Sequence, residues 1–262
     1  MKSTLSESKK VKLIAALKEY RKKFFSKSIG DLDESGTRLM INSLLSDVLC
    51  YQSLEEIKTE YMIKGTYADY VVQTNGDRQF LVEVKALSLT LTDKHLRQAI
   101  NYGANEGIEW AVLTNGRDVH LYKIIFAQPI ESRLVLRMDL SNPDAFKETI
   151  EDIQYLHRDA VVKDGLTQLW KKFTATESRS LAAIMLSKDG ISFIGKEIRQ
   201  KFNSRIEDKD LIEAITKMLT EPVDLDGIKV AKATMKLKKK KDVTPEAPKI
   251  EKVTEQPKDN NL

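Results

Sequence analysis

The sequence predicts an α/β sandwich built on a mixed sheet, with the order helix, three strands, helix, strands. Three observations point there. The run Gln79-Phe-Leu-Val-Glu-Val-Lys-Ala86 alternates, with Phe80, Val82, Val84 and Ala86 on one face and Leu81, Glu83 and Lys85 on the other. The strand-like run Thr66-Tyr-Ala-Asp-Tyr-Val-Val-Gln73 precedes it across Thr74-Asn75-Gly76-Asp77, whose Asn-Gly is the signature of a tight hairpin turn. A helical pattern then separates these strands from a second hairpin, at 109–114 and 119–126, closed by Asn115-Gly116.

Taken in order, residues 10–25 read as an amphipathic helix, with Val11, Ile14, Leu17 and Phe24 among Lys and Arg. Asp31-Leu-Asp33 supplies an N-cap for the stripe Met40, Ile41, Leu44, Leu45, Val48 and Leu49. Cys50 falls in that pattern and reads as a small core residue. Glu34 stands in the first turn, where a carboxylate suits the helix dipole as well as a functional site. Residues 55–64 lead through Ile57 and Tyr61 into the first strand, and the Asp69 and Glu83 strands follow. Thr92-Asp93 caps a helix running to about Tyr102, and Gln98 and Tyr102, four apart, share one of its faces. His95 in its first turn reads as a surface residue. A helix is expected over 143–158, starting at Asn142-Pro143.

From 165 to 219 the pattern is helical, in segments around Leu166–Phe173, Leu181–Leu186, Ile191–Phe202 and Leu211–Leu219. Inside it, Gly190-Ile-Ser-Phe-Ile-Gly195-Lys196 matches a phosphate-binding loop except at its last position. There Glu197 puts a negative charge where a Ser or Thr would hold magnesium, so no ATP site is expected. After Gly227 the apolar rhythm ends, and Lys236-Leu-Lys-Lys-Lys-Lys241 opens a stretch rich in Lys, Glu, Thr and Pro. The expected organisation is a basic amphipathic helix at 1–30, an α/β domain at 31–160, a helical module at 161–228 and a Lys-rich disordered tail at 229–262.

The net charge of +4 hides an uneven distribution. Residues 1–30 carry nine Lys/Arg against two Glu, and 229–262 carry ten Lys against five acids, which leaves 31–228 at −8. Affinity for a polyanion must therefore come from local patches or the ends. No run is long enough for a membrane span, the first ten residues lack the apolar segment of a signal peptide, and the single cysteine forms no intrachain disulfide. A cytoplasmic, reduced location is expected.

The chemistry concentrates on Glu83 and Lys85. Glu-x-Lys also occurs at Glu7, Glu56 and Glu207, but only Glu83-Val84-Lys85 lies on an apolar strand. A half-buried carboxylate and ammonium are costly unless they pair or serve a metal or substrate. Antiparallel folding of the first hairpin brings Asp69 toward them, an arrangement able to bind a hard divalent cation through carboxylates. In these residues the chain resembles the PD-(D/E)xK nuclease superfamily, and more narrowly the N-terminal nuclease domain of type I restriction enzyme R subunits. Asp69 matches the first metal-binding acid, without the Pro of the name; Glu83 and Lys85 match the acid-x-Lys pair, and Glu34 the acid opening the first core helix. Gln98-Ala-Ile-Asn-Tyr102 matches the Gln-x-x-x-Tyr element. Trp110-Ala-Val-Leu-Thr-Asn-Gly116 with His120-Leu-Tyr122 resembles the closing hairpin.

The resemblance implies a restriction-endonuclease-like αβββαβ core and a magnesium-dependent phosphodiesterase acting on DNA, with Mn²⁺ as a substitute. Asp69, Glu83 and the Val84 carbonyl would hold the metal, Lys85 would act on the attacking water, and Gln98, Tyr102 and Glu34 would complete the catalytic set. A type I R subunit also carries an ATP-driven motor, for which this chain has no room. A stand-alone restriction or defence nuclease, or one working with a separately encoded motor or specificity subunit, is expected, and an oligomer is compatible with it. Two alternatives stay open: a catalytically silent DNA- or protein-binding module of the same fold, and a purely structural Glu83–Lys85 ion pair.

Overall fold

Six strands form one sheet in the order in which the chain makes them, and every neighbouring pair is antiparallel but one. The computed structural model describes residues 5–26, 32–63 and 66–221; the tail expected at 229–262 lies outside them. Its helices are α1 (Glu7–Phe25), α2 (Glu34–Ser43), α3 (Asp93–Glu106), α4 (Phe146–Ile153), α5 (Arg158–Val161), α6 (Gly165–Ala175), α7 (Ser178–Met185), α8 (Lys188–Phe202) and α9 (Asp208–Thr220). The strands are β1 (Ile57–Ile63), β2 (Thr66–Thr74), β3 (Asp77–Val84), β4 (Trp110–Thr114), β5 (Asp118–Ile125) and β6 (Glu131–Asp139). The described residues fall into two compact units divided between Ile212 and Glu213, and the sheet lies in the first.

The exception is β3 with β4, which run parallel, Glu83 opposite Leu113 and Val84 opposite Thr114. A parallel pair needs a crossover, and α3 provides it. The sheet is therefore mixed, and α2, β1, β2, β3, α3 and β4 give the αβββαβ core of a restriction-endonuclease-like fold. Helices cover both faces. Tyr70, Val72, Phe80, Val82 and Val84 join Leu13, Leu17, Met40, Ile41 and Ile153 in the main core. On the opposite face Leu96, Ala99 and Tyr102 of α3 pack in two smaller clusters against Val71, Leu81, Ala111, Leu113, Tyr122 and Ile124.

Local chemistry explains the joints. Asn75 and Gly76 both take positive φ, 54° and 86°, and join Thr74 to Asp77 across a two-residue turn, the backbone that an Asn-Gly pair favours. Asp33 caps α2, its carboxylate accepting the Gly36 N–H at 2.7 Å. The α2 stripe does not continue as one α-helix: Leu44–Val48 form a π-helical turn that keeps Leu44, Leu45 and Val48 buried. Cys50, just beyond, takes φ 64° and is exposed, which corrects its reading as a core residue. In α1 the buried side chains are Leu13, Leu17 and Tyr20, at the i, i+4, i+7 spacing of one face, while Val11 is exposed.

Two further expectations change. Strand β6 was not expected from the sequence; it is an edge strand paired along β5 across a bulge at Leu121/Tyr122, and only Val135 and Met138 of it are buried. The helix expected from Asn142-Pro143 starts at Phe146. The stretch resembling a phosphate-binding loop lies inside α8, with Gly190 seated against the end of α7, where a Cβ would meet the Met185 carbonyl oxygen at 2.7 Å.

Gly103 sets how closely α3 approaches the sheet. A Cβ there would overlap Ile124 Cδ1 and lie 2.6 Å from the Ile108 carbonyl oxygen. Gly103→Ala is expected to destabilise the protein by about 1–3 kcal/mol, the usual cost of overpacking, read as a lowered urea midpoint at unchanged slope; an unaltered midpoint would show that α3 can move outward freely.

Candidate active site

The site forms where β2 and β3 part company. Tyr70 pairs with Val82 and Val71 with Leu81, so continuing the register by one residue sets Asp69 across from Glu83 on the same face. The ladder is not continued by backbone there. Asp69 Oδ2 accepts the Val84 N–H at 2.7 Å, in place of a carbonyl from β2. The next N–H, of Lys85, turns the other way and bonds the Thr114 carbonyl of β4 at 2.8 Å. Because the N–H and C=O of one strand residue project to the same neighbour, the Val84 carbonyl also faces the Asp69 side.

Glu83 is buried, its side chain only 4% exposed, and Lys85 reaches back so that Nζ lies 2.7 Å from Oε1. Lys85 Nζ also stands 3.5 Å from Oε1 of Glu34, which projects from the first turn of α2 and is about half exposed. Asp69 is paired through Oδ1 with the guanidinium of Arg38, one turn further along α2. Five charged groups thus interlock: Glu34, Asp69 and Glu83 against Arg38 and Lys85. Burial pushes the Glu83 carboxyl up to about 6, against the hydrogen bond and charge of Lys85, with Asp69 and Glu34 adding to the rise. Burial pulls the Lys85 ammonium down, but the bond and charge of Glu83, with Glu34 and Asp69, outweigh it and raise its pKa.

The structure therefore brings together Glu34, Asp69, Glu83, Val84 and Lys85. Gln98 and Tyr102 are placed differently. Gln98 Nε2 donates to Tyr102 Oη at 2.7 Å, and Tyr102 clusters with Ala68 and Val71, on either side of Asp69, and with Leu81, two before Glu83. They brace the α3 side of the same strands. His95 serves the helix: its Nδ1 accepts the Thr92 N–H at 3.3 Å.

Two residues escaped the sequence reading. Arg38 stands four residues after Glu34, so the spacing already put it on the same face of α2, but nothing local shows that its partner is Asp69. Asn115 read only as half of a turn. It is buried, and besides accepting the Arg117 and Asp118 N–H groups at 3.0 and 2.7 Å it donates to the Leu89 carbonyl at 2.9 Å, which ties down the loop after Lys85. No local signal marks that contact, which spans 26 residues.

Among the described residues no cluster of three or more His, Cys, Asp or Glu side chains forms a metal cage. The donors on offer are two carboxylates and a backbone carbonyl, a set that suits Mg²⁺, which usually takes one or two carboxylates and keeps several waters. That each acid already leans on a cation shows a place where positive charge is wanted, so the residues fit such an ion.

Over residues 33–129, a little over a third of the chain, the sequence matches the model of the family described as type I restriction enzyme R protein N terminus. The resemblance to the R-subunit N-terminal nuclease domain therefore holds over the segment that carries Glu34, Asp69, Glu83, Lys85, Gln98 and Tyr102. No curated protein and no solved structure matches the chain. Among the described residues no helix is long and apolar enough to cross a membrane.

The raised pKa of Glu83 has a consequence for stability. Its folded value near 6 lies above the ordinary 4.5, so the folded state holds the extra proton between those values and stability drains away as pH rises through that window. Relative to Glu83→Gln, whose slope lacks this contribution, the metal-free wild type should lose about 1.5 kcal/mol between pH 4.5 and 6.5. Urea titrations of both proteins in EDTA check it; parallel pH profiles would mean that Glu83 titrates normally.

Proposed function

We propose that this protein is a metal-dependent nuclease that hydrolyses phosphodiester bonds of DNA, in restriction, defence or DNA processing. One observation carries the reading: Asp69, bonded to the Val84 N–H, and Glu83 meet at the ends of adjoining strands with Lys85 2.7 Å from Glu83, inside the segment that matches a restriction-enzyme family. Asp69, Glu83 and the Val84 carbonyl would hold the metal. A bound Mg²⁺, or Mn²⁺ in its place, supplies positive charge beside the phosphate and lowers the pKa of a water. Lys85, as an ammonium, would orient that water, favour release of its proton to solvent through its charge, and offset the charge that grows on the phosphate in the transition state. Glu34 keeps the Lys85 ammonium charged and aimed, and the Gln98–Tyr102 pair steadies the strands, with the exposed Gln98 as the member able to meet a phosphate while Tyr102 stays buried. DNA is the substrate, and a separately encoded motor or specificity subunit is the natural partner of a chain with this family match.

A second reading has an observation in its favour. Arg38 and Lys85 already neutralise Asp69 and Glu83, so the fold does not need a metal, and the same surface would serve a catalytically silent DNA- or protein-binding module. Activity separates the two. With Mg²⁺ or Mn²⁺ the purified protein should nick or degrade plasmid, linear or single-stranded DNA. Lys85→Ala should lower the rate by about 10²–10³, the usual loss when one stabiliser of transition-state charge is removed, yet still bind Mn²⁺, because Lys85 supplies no ligand and its removal frees the Glu83 carboxylate. Asp69→Asn should lose both. Protein that binds Mn²⁺ and DNA but leaves every one of these substrates intact would favour the binding module.

A further inference from the structure

Both carboxylate oxygens of Asp69 are committed, Oδ2 to the Val84 N–H and Oδ1 to the Arg38 guanidinium. A divalent cation that joins Asp69 competes with the Arg38 guanidinium, a like charge already seated on Oδ1. The Val84 N–H is part of β3 and cannot leave without unpairing the strand. Arg38 can, because its side chain is about one-third exposed and hangs from α2, where Tyr70 Oη fixes the backbone by donating to the Arg38 carbonyl at 3.0 Å. Displacement would therefore move a side chain and leave the helix in place.

We propose that Arg38 stands in for the metal on Asp69 in the metal-free protein and, displaced when a divalent cation binds, becomes a ligand of the substrate phosphate; this rests on the nuclease reading of the same site. The charges favour the exchange. Three carboxylates against two cations leave the closed group at −1 when all are ionised, and a dication turns it to +1, which attracts a phosphodiester. A guanidinium released at that moment is a planar fork suited to two phosphate oxygens. Metal and DNA binding are then coupled through one side chain, and the coupling must be reciprocal.

The test uses the full chain with Mn²⁺ alone, followed by electron paramagnetic resonance of the free ion, on wild type, Arg38→Gln, Arg38→Lys and Asp69→Asn. Arg38→Gln should bind Mn²⁺ about tenfold more tightly than wild type, within the usual range of such couplings, Arg38→Lys should fall between, and Asp69→Asn should lose the site. On a short fluorescent DNA duplex, Arg38→Gln should match wild type in EDTA and bind about tenfold more weakly in Ca²⁺. Should Arg38→Gln fail to fold, Arg38→Lys decides: tighter Mn²⁺ binding supports the exchange and unchanged binding overturns it. Unchanged Mn²⁺ affinity in the Arg38 variants, or equal DNA affinity in Ca²⁺, overturns it while loss of Mn²⁺ in Asp69→Asn leaves the nuclease reading standing. Asp69→Asn that binds Mn²⁺ like wild type removes that reading, and this proposal with it.

Discussion

A carboxylate buried at the end of a β-strand is the constraint on which this structure depends. Glu83 gives up almost all its hydration, and an isolated charge so placed would cost several kcal/mol. The fold meets that cost with Lys85 directly and with Arg38, which cancels the Asp69 charge that would otherwise repel Glu83. Removing one partner of such a pair usually destabilises by about 3–5 kcal/mol, whereas a well-packed apolar replacement of the whole group is often neutral. Charged residues kept at this spot are thus a costly choice for stability alone, and the proposed chemistry at a phosphate would give them a reason.

The rest of the domain can be understood as what holds those charges still. The parallel pairing of β3 with β4 orients the Lys85 N–H toward Thr114 and leaves the Val84 N–H for Asp69. The crossover that parallel pairing requires is α3, which delivers Tyr102 and Gln98 to the same strands. On the other face α2 is capped by Asp33 and anchored by Tyr70, so that Glu34 and Arg38 hang over the strand ends. Leu32 and Asn115 secure the intervening loop, the Leu32 carbonyl accepting the Leu87 N–H at 3.0 Å.

Much of this was legible in the sequence because it is local. The alternation in β3, the Asn75-Gly76 turn and the Asp33 cap each follow from a few neighbouring residues, and the order of elements follows from them. The faces of Glu83 and Lys85 were readable from period two, and that of Asp69 from the turn length. What escaped depends on tertiary contact. Arg38 gains meaning only when α2 lies over β2, and Asn115 only when its loop meets Leu89. Strand β6 breaks the two-residue rhythm, since as an edge strand it buries Val135 and Met138, three apart. Cys50 sat in an apolar pattern that the π-helical turn and a left-handed residue bring to an end.

The central claim is that Asp69 and Glu83 converge on one point fit for a divalent cation. Crystals of the protein soaked in Mn²⁺ and measured for anomalous scattering test it most directly. The account predicts a single strong peak between the two carboxylates, within about 2.0–2.6 Å of an oxygen from each, the range of oxygen–metal bonds to hard divalent ions. Occupied Mn²⁺ sites found only elsewhere, with Asp69 still on Arg38 and Glu83 still on Lys85, would contradict it.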